Sequence, residues 1–202
     1  MMPLAALLLA YLLGSIPFGY LLVKWKTGAD VRDYGSGNIG ATNVTRTTGR
    51  AAGLATLGLD VGKGYLAVWT AGRLTGHDPL WMSLAALAVM GGHAYPVFLG
   101  FKGGKAVASF YGAFLCLAPL AIVAEFVVFV GVVAWTRYIS LGSIVGAGTF
   151  PLAVWLILQP PLPVVASAVV AGAFIIYKHR ENIRRLSQGR ESVFRLRGKS
   201  ST

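Results

Sequence analysis

The chain has 202 residues, of which 55% are hydrophobic and only 12% are charged, and its formal net charge is +11. This composition fits neither a water-soluble domain nor a disordered chain, and it indicates a protein that lies mostly in lipid. A spanning helix needs about 20 apolar residues, so the apolar runs allow roughly six or seven crossings. We therefore predict one polytopic membrane domain over residues 1–202.

Seven apolar runs follow one another along the chain, and we interpret each as a transmembrane helix. The first lacks a basic n-region and a cleavage site, so it reads as a retained span rather than a signal peptide. The fourth and fifth are divided at Pro119, because one helix over both would exceed ordinary span length by about half. The fourth holds the sole cysteine, Cys116, which excludes an internal disulfide. The runs are residues 3–23, 51–72, 80–99, 105–119, 120–136, 141–158 and 162–178.

The lysines and arginines predict the orientation of these spans, because basic residues near span ends stay in the cytoplasm. With the N-terminus outside and seven spans, all of them fall inside except Arg73, which falls outside, and Lys63, which lies within the second span. The C-terminus is then cytoplasmic. Since the positive charge gathers at span ends, topology explains it and nucleic-acid binding is not expected.

The first cytoplasmic segment, residues 30–50, mixes glycines with polar side chains and Arg46. Glycines allow successive backbone N–H groups to face one ligand, and an arginine binds phosphate through two hydrogen bonds. This pattern favours an anion site, and a flexible loop with ordinary turn residues is the alternative. The candidate ligands are Ser36, Gly37, Asn38, Thr42, Asn43 and Arg46.

A second glycine-rich segment places Gly103 and Gly104 between Lys102 and Lys105. It is not a Walker A loop, since the spacing fails and no serine or threonine follows Lys105, so ATP hydrolysis is not indicated. Lys105 is the better phosphate ligand, and Lys102 is either a second ligand or an interfacial anchor. His93, upstream, is either a ligand or a packed core histidine.

Two further pairs of polar residues share a helix face, because their members lie three positions apart. Ser140 and Ser143 open the sixth span, and His179 and Asn182 continue the seventh. The serines are alternatively tied to backbone carbonyls at a helix end. The basic tail alternatively serves topology or contact with anionic lipid.

These segments converge at one membrane face, because the second, fourth and sixth spans begin in the cytoplasm. Helix N-termini attract phosphate. The placement therefore predicts a pocket for a phosphorylated, partly apolar molecule, in an enzyme or a carrier. Asp60 and Lys63 are predicted to pair on one helix face, and the mid-span Glu125 needs a neutral state or a partner. No metal site or cofactor is expected, since the histidines and acids form no ligand cluster.

Four strings carry a resemblance to a known family. GSGNIGATNVTR, LDVGKG, GGHAYPVFLGFKGGKAVAS and HRENIRRLSQGRE resemble the bacterial acyl-phosphate-dependent glycerol-3-phosphate acyltransferase family (PlsY), over nearly the whole chain. The resemblance implies transfer of a fatty acyl group from acyl phosphate to the 1-hydroxyl of glycerol 3-phosphate. The products are lysophosphatidic acid and phosphate, in the first step of phospholipid synthesis at the cytoplasmic face of the bacterial inner membrane. Neither acyl-CoA nor acyl carrier protein is the direct donor, and a functional partner supplies the acyl phosphate.

The resemblance also assigns residues around the two phosphates: Ser36, Arg46, Lys105 and His179 as catalytic groups, with Ser140, Ser143 and Asn182 as ligands. It implies substrate positioning and charge stabilisation without an acyl-enzyme. Either a substrate phosphate or His179 takes the proton of the attacking hydroxyl. A transporter of an organic phosphate is the main rival, but the chain shows no internal repeat. A structural membrane subunit does not explain the cationic glycine-rich segments.

Overall fold

The structure, a computed structural model, describes residues 1–194, which are all-helical and contain no strand. Arg195, Arg197 and Lys199, which the orientation prediction placed in the cytoplasm, lie outside the described residues. Short 3-10 turns occur at Val31–Asp33 and Val97–Leu99. The α-helices are α1 (Met2–Ser15), α2 (Phe18–Thr27), α3 (Ala41–Thr48), α4 (Arg50–Thr75), α5 (Pro79–Ala94), α6 (Val107–Leu117), α7 (Pro119–Thr136), α8 (Ile139–Leu158), α9 (Leu162–Lys178) and α10 (Arg180–Ser187).

Each predicted apolar run contains a helix, and the all-α prediction is confirmed for the described residues. Within residues 1–194, four segments are long and apolar enough to cross a membrane: Met2–Thr27, Pro79–Leu99, Pro119–Thr136 and Ile139–Leu158. A fifth arises if α9 and α10, which bend by 55° where they meet, count as one span.

Two predicted spans, α4 and α6, differ from this pattern. α4 has 26 residues but carries Asp60 and Lys63 in its middle. α6 has 11 residues and is about 16 Å long, which is shorter than the roughly 30 Å hydrocarbon core of a bilayer. It is shorter than the predicted run 105–119 because Lys105 and Ala106 are not helical, and Ala106 takes a left-handed conformation with φ of 62°. At the other end, α6 stops at Leu117 and Pro119 begins α7.

The first predicted span is broken into two helices. α1 ends at Ser15 and α2 begins at Phe18, since Pro17 has no N–H to continue the helical hydrogen bonds. The break leaves the carbonyl of Ile16 accessible, and the Lys63 ammonium donates to it at 2.8 Å. A charged side chain of α4 therefore stabilises the break in the first run.

Glycines set the close helix packing of the bundle, as is usual where lipid supplies no hydrophobic drive between helices. A Cβ on Gly64 of α4 would lie 2.2 Å from the carbonyl oxygen of Ser109 in α6. A Cβ on Gly14 of α1 would lie 2.2 Å from the carbonyl oxygen of Val89 in α5. α1, α4, α5 and α6 thus pack backbone to backbone. α7, α8 and α9 pack in series, and they meet this group where α9 contacts α5 and where α7 contacts α6.

Glu125 lies where α7 meets α8, with only 2% of its surface exposed. Its Oε1 atom sits against Gly146, where a Cβ would approach it to 2.1 Å. The sequence predicted that this mid-span acid needs a neutral state or a partner, and Tyr111 of α6 is the polar group facing it. Cys116 is a free thiol in α6.

Candidate active site

The first polar segment folds around the buried side chain of Asn43. The Asn43 Nδ2 group donates to the carbonyls of Val31, Tyr34 and Asn38 at 3.2, 3.0 and 2.9 Å. Its Oδ1 atom accepts from the backbone N–H of Ser36 at 2.8 Å. The sequence suggested that Asn43 is a donor facing a ligand. In the structure it is 2% exposed, and its side chain instead bonds the backbone of the loop from inside.

The glycines of this segment serve the same fold. Gly35 and Gly37 have φ of 61° and 68°, values that residues with a side chain rarely adopt. A Cβ on Gly35 would lie 2.2 Å from the Asn43 Oδ1 atom. A small apolar cluster of Val23, Val31, Ile39 and Val44 anchors the segment to α2. Packing and the Asn43 hydrogen bonds therefore determine the backbone of this segment, and the side chains of Ser36 and Asn38 line a cavity.

This cavity has a volume of about 210 Å³ and lies between the first polar segment, the second glycine-rich loop and the corner of α9 and α10. Four cationic side chains line it against one acidic one, so it suits an anion. Its lining residues are Ser36, Asn38, Gly103, Gly104, Lys105, Lys178, Arg180, Glu181, Asn182 and Arg185.

The second glycine-rich loop packs on His93, for which the sequence left open a ligand role and a position in the packed core. The Gly104 N–H donates to the His93 carbonyl at 3.0 Å. A Cβ would lie 2.2 Å from the His93 carbonyl oxygen if added to Gly103, and 2.2 Å from the His93 Nε2 atom if added to Gly104. His93 is 3% exposed and is not part of the cavity lining, so it supports the loop that brings Lys105 to the cavity.

Lys105 reaches across the cavity to Asn182 at the start of α10. The Lys105 ammonium donates to the Asn182 Oδ1 atom. The Asn182 Nδ2 group in turn donates to the Glu191 Oε1 atom at 2.8 Å. Two candidates from different predicted segments, 77 positions apart, are thus joined directly.

Glu191 completes this arrangement, although sequence reasoning gave it no role. Its Oε1 atom also accepts from the Ser140 hydroxyl at 3.0 Å, and its Oε2 atom accepts from the Arg185 Nε group at 2.7 Å. Burial opposes its ionisation, but the hydrogen bonds from Asn182, Arg185 and Ser140 prevail and lower its pKa. The only signal in the sequence was its position at the end of the fourth resembling string.

Lys105, which lines the cavity, and His179, which lies outside the lining, both have lowered pKa values. Burial and the charges of Arg185 and Arg46 lower the pKa of Lys105 to about 8. Burial and the charge of Lys105 lower the pKa of His179 to about 4. The His179 Nδ1 atom lies 2.8 Å from the Ile175 carbonyl, so the neutral ring donates from Nδ1 and keeps Nε2 unprotonated.

The remaining predicted residues fall outside the cavity lining. The Ser143 hydroxyl donates to the Ile139 carbonyl at 3.0 Å, which is the helix-end alternative that the sequence left open. Thr42, Arg46 and Lys102 are exposed, and Arg46 acts on Lys105 through its charge. Within residues 1–194, no three histidine, cysteine, aspartate or glutamate side chains are grouped to hold a metal ion.

Known proteins resemble this chain over almost its whole length. The family described as Glycerol-3-phosphate acyltransferase matches residues 4–189. A glycerol-3-phosphate acyltransferase of Geobacter sulfurreducens is 50% identical over 186 residues, which cover 92% of this chain and 94% of the relative. A crystal structure of PlsY (YgiH), an integral membrane glycerol 3-phosphate acyltransferase in its glycerol 3-phosphate form, is 43% identical, with a TM-score of 0.91 and 96% of each chain covered. The lysophosphatidic acid form is 41% identical, with a TM-score of 0.88 and the same coverage.

Proposed function

The chain belongs to the glycerol-3-phosphate acyltransferase family, and we propose that it transfers a fatty acyl group from acyl phosphate to the 1-hydroxyl of glycerol 3-phosphate. The products are lysophosphatidic acid and inorganic phosphate. The observation that carries this proposal is the cationic cavity in which Lys105 meets Asn182. Solved relatives in a glycerol 3-phosphate form and a lysophosphatidic acid form support the same substrate and product here.

The reaction brings two phosphate groups together, so charge is the first requirement of the site. Like charges repel strongly in a partly buried cavity. Lys105, Lys178, Arg180 and Arg185 line the cavity, and Arg46 adds its charge from α3. These cations offset the repulsion and let the substrate hydroxyl approach the acyl carbon.

Acyl transfer then needs no covalent enzyme intermediate. The hydroxyl oxygen attacks the acyl carbon, the bond from that carbon to the phosphate oxygen breaks, and phosphate leaves. Acyl phosphate is already activated, and Ser36 is the only hydroxyl side chain in the cavity lining within the described residues. We therefore assign Ser36 to binding, as a hydrogen-bond donor to a phosphate.

A phosphate oxygen is the better acceptor for the proton of the attacking hydroxyl. A phosphate monoester has a second pKa near 6, whereas the pKa of His179 is about 4. A general base works best when its pKa lies near the working pH. His179 then acts as a neutral hydrogen-bonding group beside Lys105.

For the membrane arrangement we propose seven spans with the N-terminus outside and the C-terminus cytoplasmic, in one domain over residues 1–202. α4 is about 39 Å long, which suffices to cross a bilayer, and its buried charges are paired. The cavity then opens at the cytoplasmic face of the bacterial inner membrane. A soluble or membrane partner supplies acyl phosphate there.

The test is an assay of the purified, detergent-solubilised chain with glycerol 3-phosphate and either acyl phosphate or acyl-CoA. Phosphate release and lysophosphatidic acid are followed together. We expect turnover with acyl phosphate only, and its loss in Arg46→Ala and Lys105→Ala. Lys26→Ala, an exposed cation at the end of α2, is the matched control and should retain activity.

Other outcomes of this assay contradict the proposal. Turnover with acyl-CoA but not acyl phosphate would overturn the donor assignment while leaving the family intact. A folded protein that forms no product with either donor would contradict the acyltransferase reaction. A flux assay with glycerol 3-phosphate in liposomes would then test the transporter alternative.

A further inference from the structure

Three ionisable side chains lie together inside the bundle, below the cavity and outside its lining. The Asp60 Oδ1 atom is 2.8 Å from the Lys63 Nζ atom and 3.6 Å from the His93 Nδ1 atom. The side chains of Asp60, Lys63 and His93 are 2%, 2% and 4% exposed. Ionisable groups buried at this depth are costly and mark functional sites more often than chance. We call these three residues the buried triad.

The buried triad connects elements that are far apart in the chain. Asp60 and Lys63 belong to α4, and His93 belongs to α5. Lys63 also donates to the carbonyl of Ile16, at the break between α1 and α2. Lys63 therefore pairs with Asp60 and links it to the backbone at Ile16.

The opposite side of His93 carries the second glycine-rich loop. His93 turns Nδ1 toward Asp60 and Nε2 toward Gly104, whose N–H donates to the His93 carbonyl. Gly104 immediately precedes Lys105, and Lys105 donates to Asn182 in the cavity. One continuous series of contacts thus runs from Asp60 through His93 and the loop to the cation of the phosphate site.

We propose that Asp60 is a positioning residue of the phosphate site. Its carboxylate fixes the orientation of the His93 imidazole. The imidazole packs against Gly104 and so determines where the loop backbone lies. The position of Gly104 in turn determines where the Lys105 ammonium enters the cavity. Lys63 holds Asp60 in place through the 2.8 Å contact between the Lys63 Nζ and Asp60 Oδ1 atoms. The proposal rests on the proposed function for the identity of the substrate, glycerol 3-phosphate, but not for the existence of a phosphate site.

The competing explanation is an ion pair that only stabilises the bundle. The two explanations predict different substrate binding for a double variant that lacks both charges of the ion pair. Asp60→Asn leaves the Lys63 charge unbalanced in the interior, which lowers stability under either explanation. Adding Lys63→Met removes that unbalanced charge and recovers part of the stability, while the hydrogen bond to the Ile16 carbonyl stays lost. Only the positioning role predicts that substrate binding stays impaired in the double variant.

The experiment compares Asp60→Asn, the double variant Asp60→Asn/Lys63→Met and His93→Gln in detergent. KM for glycerol 3-phosphate, kcat and the unfolding temperature are measured for each. We expect the double variant to unfold at a higher temperature than Asp60→Asn, while its KM stays raised by on the order of 10-fold and its kcat changes less. His93→Gln should raise KM in the same way. Glu125→Gln, which removes a buried carboxyl elsewhere in the bundle, is the matched control with unchanged KM.

A second readout keeps this test independent of turnover. Binding of inorganic phosphate, followed by the rise in unfolding temperature, should weaken in the same variants. A double variant with wild-type KM and wild-type phosphate binding overturns the positioning role, and so does a folded wild-type chain that binds no phosphate. If the wild type binds phosphate but transfers no acyl group, the proposed function fails and the phosphate readout alone decides on Asp60.

Discussion

The two glycine-rich segments of this protein have similar compositions but are stabilised in opposite ways. The first, around Gly35 and Gly37, is shaped by its own Asn43, a few positions away. The second, Gly103–Gly104, is shaped by His93 of α5, whose Nδ1 atom lies 3.6 Å from Asp60 of α4. The first loop therefore depends on local hydrogen bonds, and the second depends on the packing of the whole bundle. Changes at Asp60 or His93 should therefore affect the second loop more than the first.

The largest expected effect comes from Gly104→Ala, which breaks the second loop. The added Cβ would lie 2.2 Å from the His93 Nε2 atom, so the loop and Lys105 must move away. A displacement of about 1 Å costs on the order of 100-fold in catalysis, and we expect a loss of that size in kcat/KM. Gly62→Ala in α4 has open space around its Cβ and is the matched control. Equal activities in the two variants would contradict the tight fit at Gly104.

Asn43→Ala should break the first loop with a smaller effect, seen in stability before activity. The change leaves the carbonyls of Val31, Tyr34 and Asn38 without their donor. A buried group left unsatisfied costs about 1–3 kcal/mol, so the unfolding temperature in detergent should fall. Asn43→Asp keeps an acceptor for the Ser36 N–H but loses the donors, and it should be nearly as unstable. A stable Asn43→Asp variant would show that the Ser36 bond alone holds the loop.

The smallest expected effect is a pH dependence of kcat/KM, which tests whether the charge that the second loop brings to the cavity is that of Lys105. Its pKa is about 8, so the ammonium loses its proton, and the site its charge, as the pH rises through that value. We expect kcat/KM to fall several-fold above about pH 8. Lys105→Arg should flatten this fall, because a guanidinium stays charged. His179 has a pKa of about 4 and stays neutral at higher pH, so its titration adds no step near neutrality. A step that disappears in His179→Gln would contradict this.

The helices could be predicted from the sequence because apolar runs of sufficient length have few alternatives to helical spans. The run 105–119 was predicted too long, since hydropathy does not register the non-helical chain that precedes Val107. The break at Pro17 likewise leaves the hydropathy of the first run unchanged, although it divides the helix.

The candidate site was predicted less completely, for reasons of tertiary structure. Lys105 and Asn182 were both selected from their chemistry, and the structure joins them. The roles of Asn43 and His93 were not predictable, because each depends on backbone groups that only the folded chain brings near. Glu191 was missed since a single acid after a basic helix looks like ordinary surface charge.

The link between Lys105 and α10 also affects how the protein is made. Asn182 and Glu191 follow α1 to α9 in the chain, so a ribosome must translate all of these helices before Lys105 has its partner. A nascent chain with its earlier helices already in the membrane therefore holds a cationic loop without a finished active site. We therefore expect a chain that stops before Asn182 to lack acyl transfer, because Lys105 then has no partner in α10.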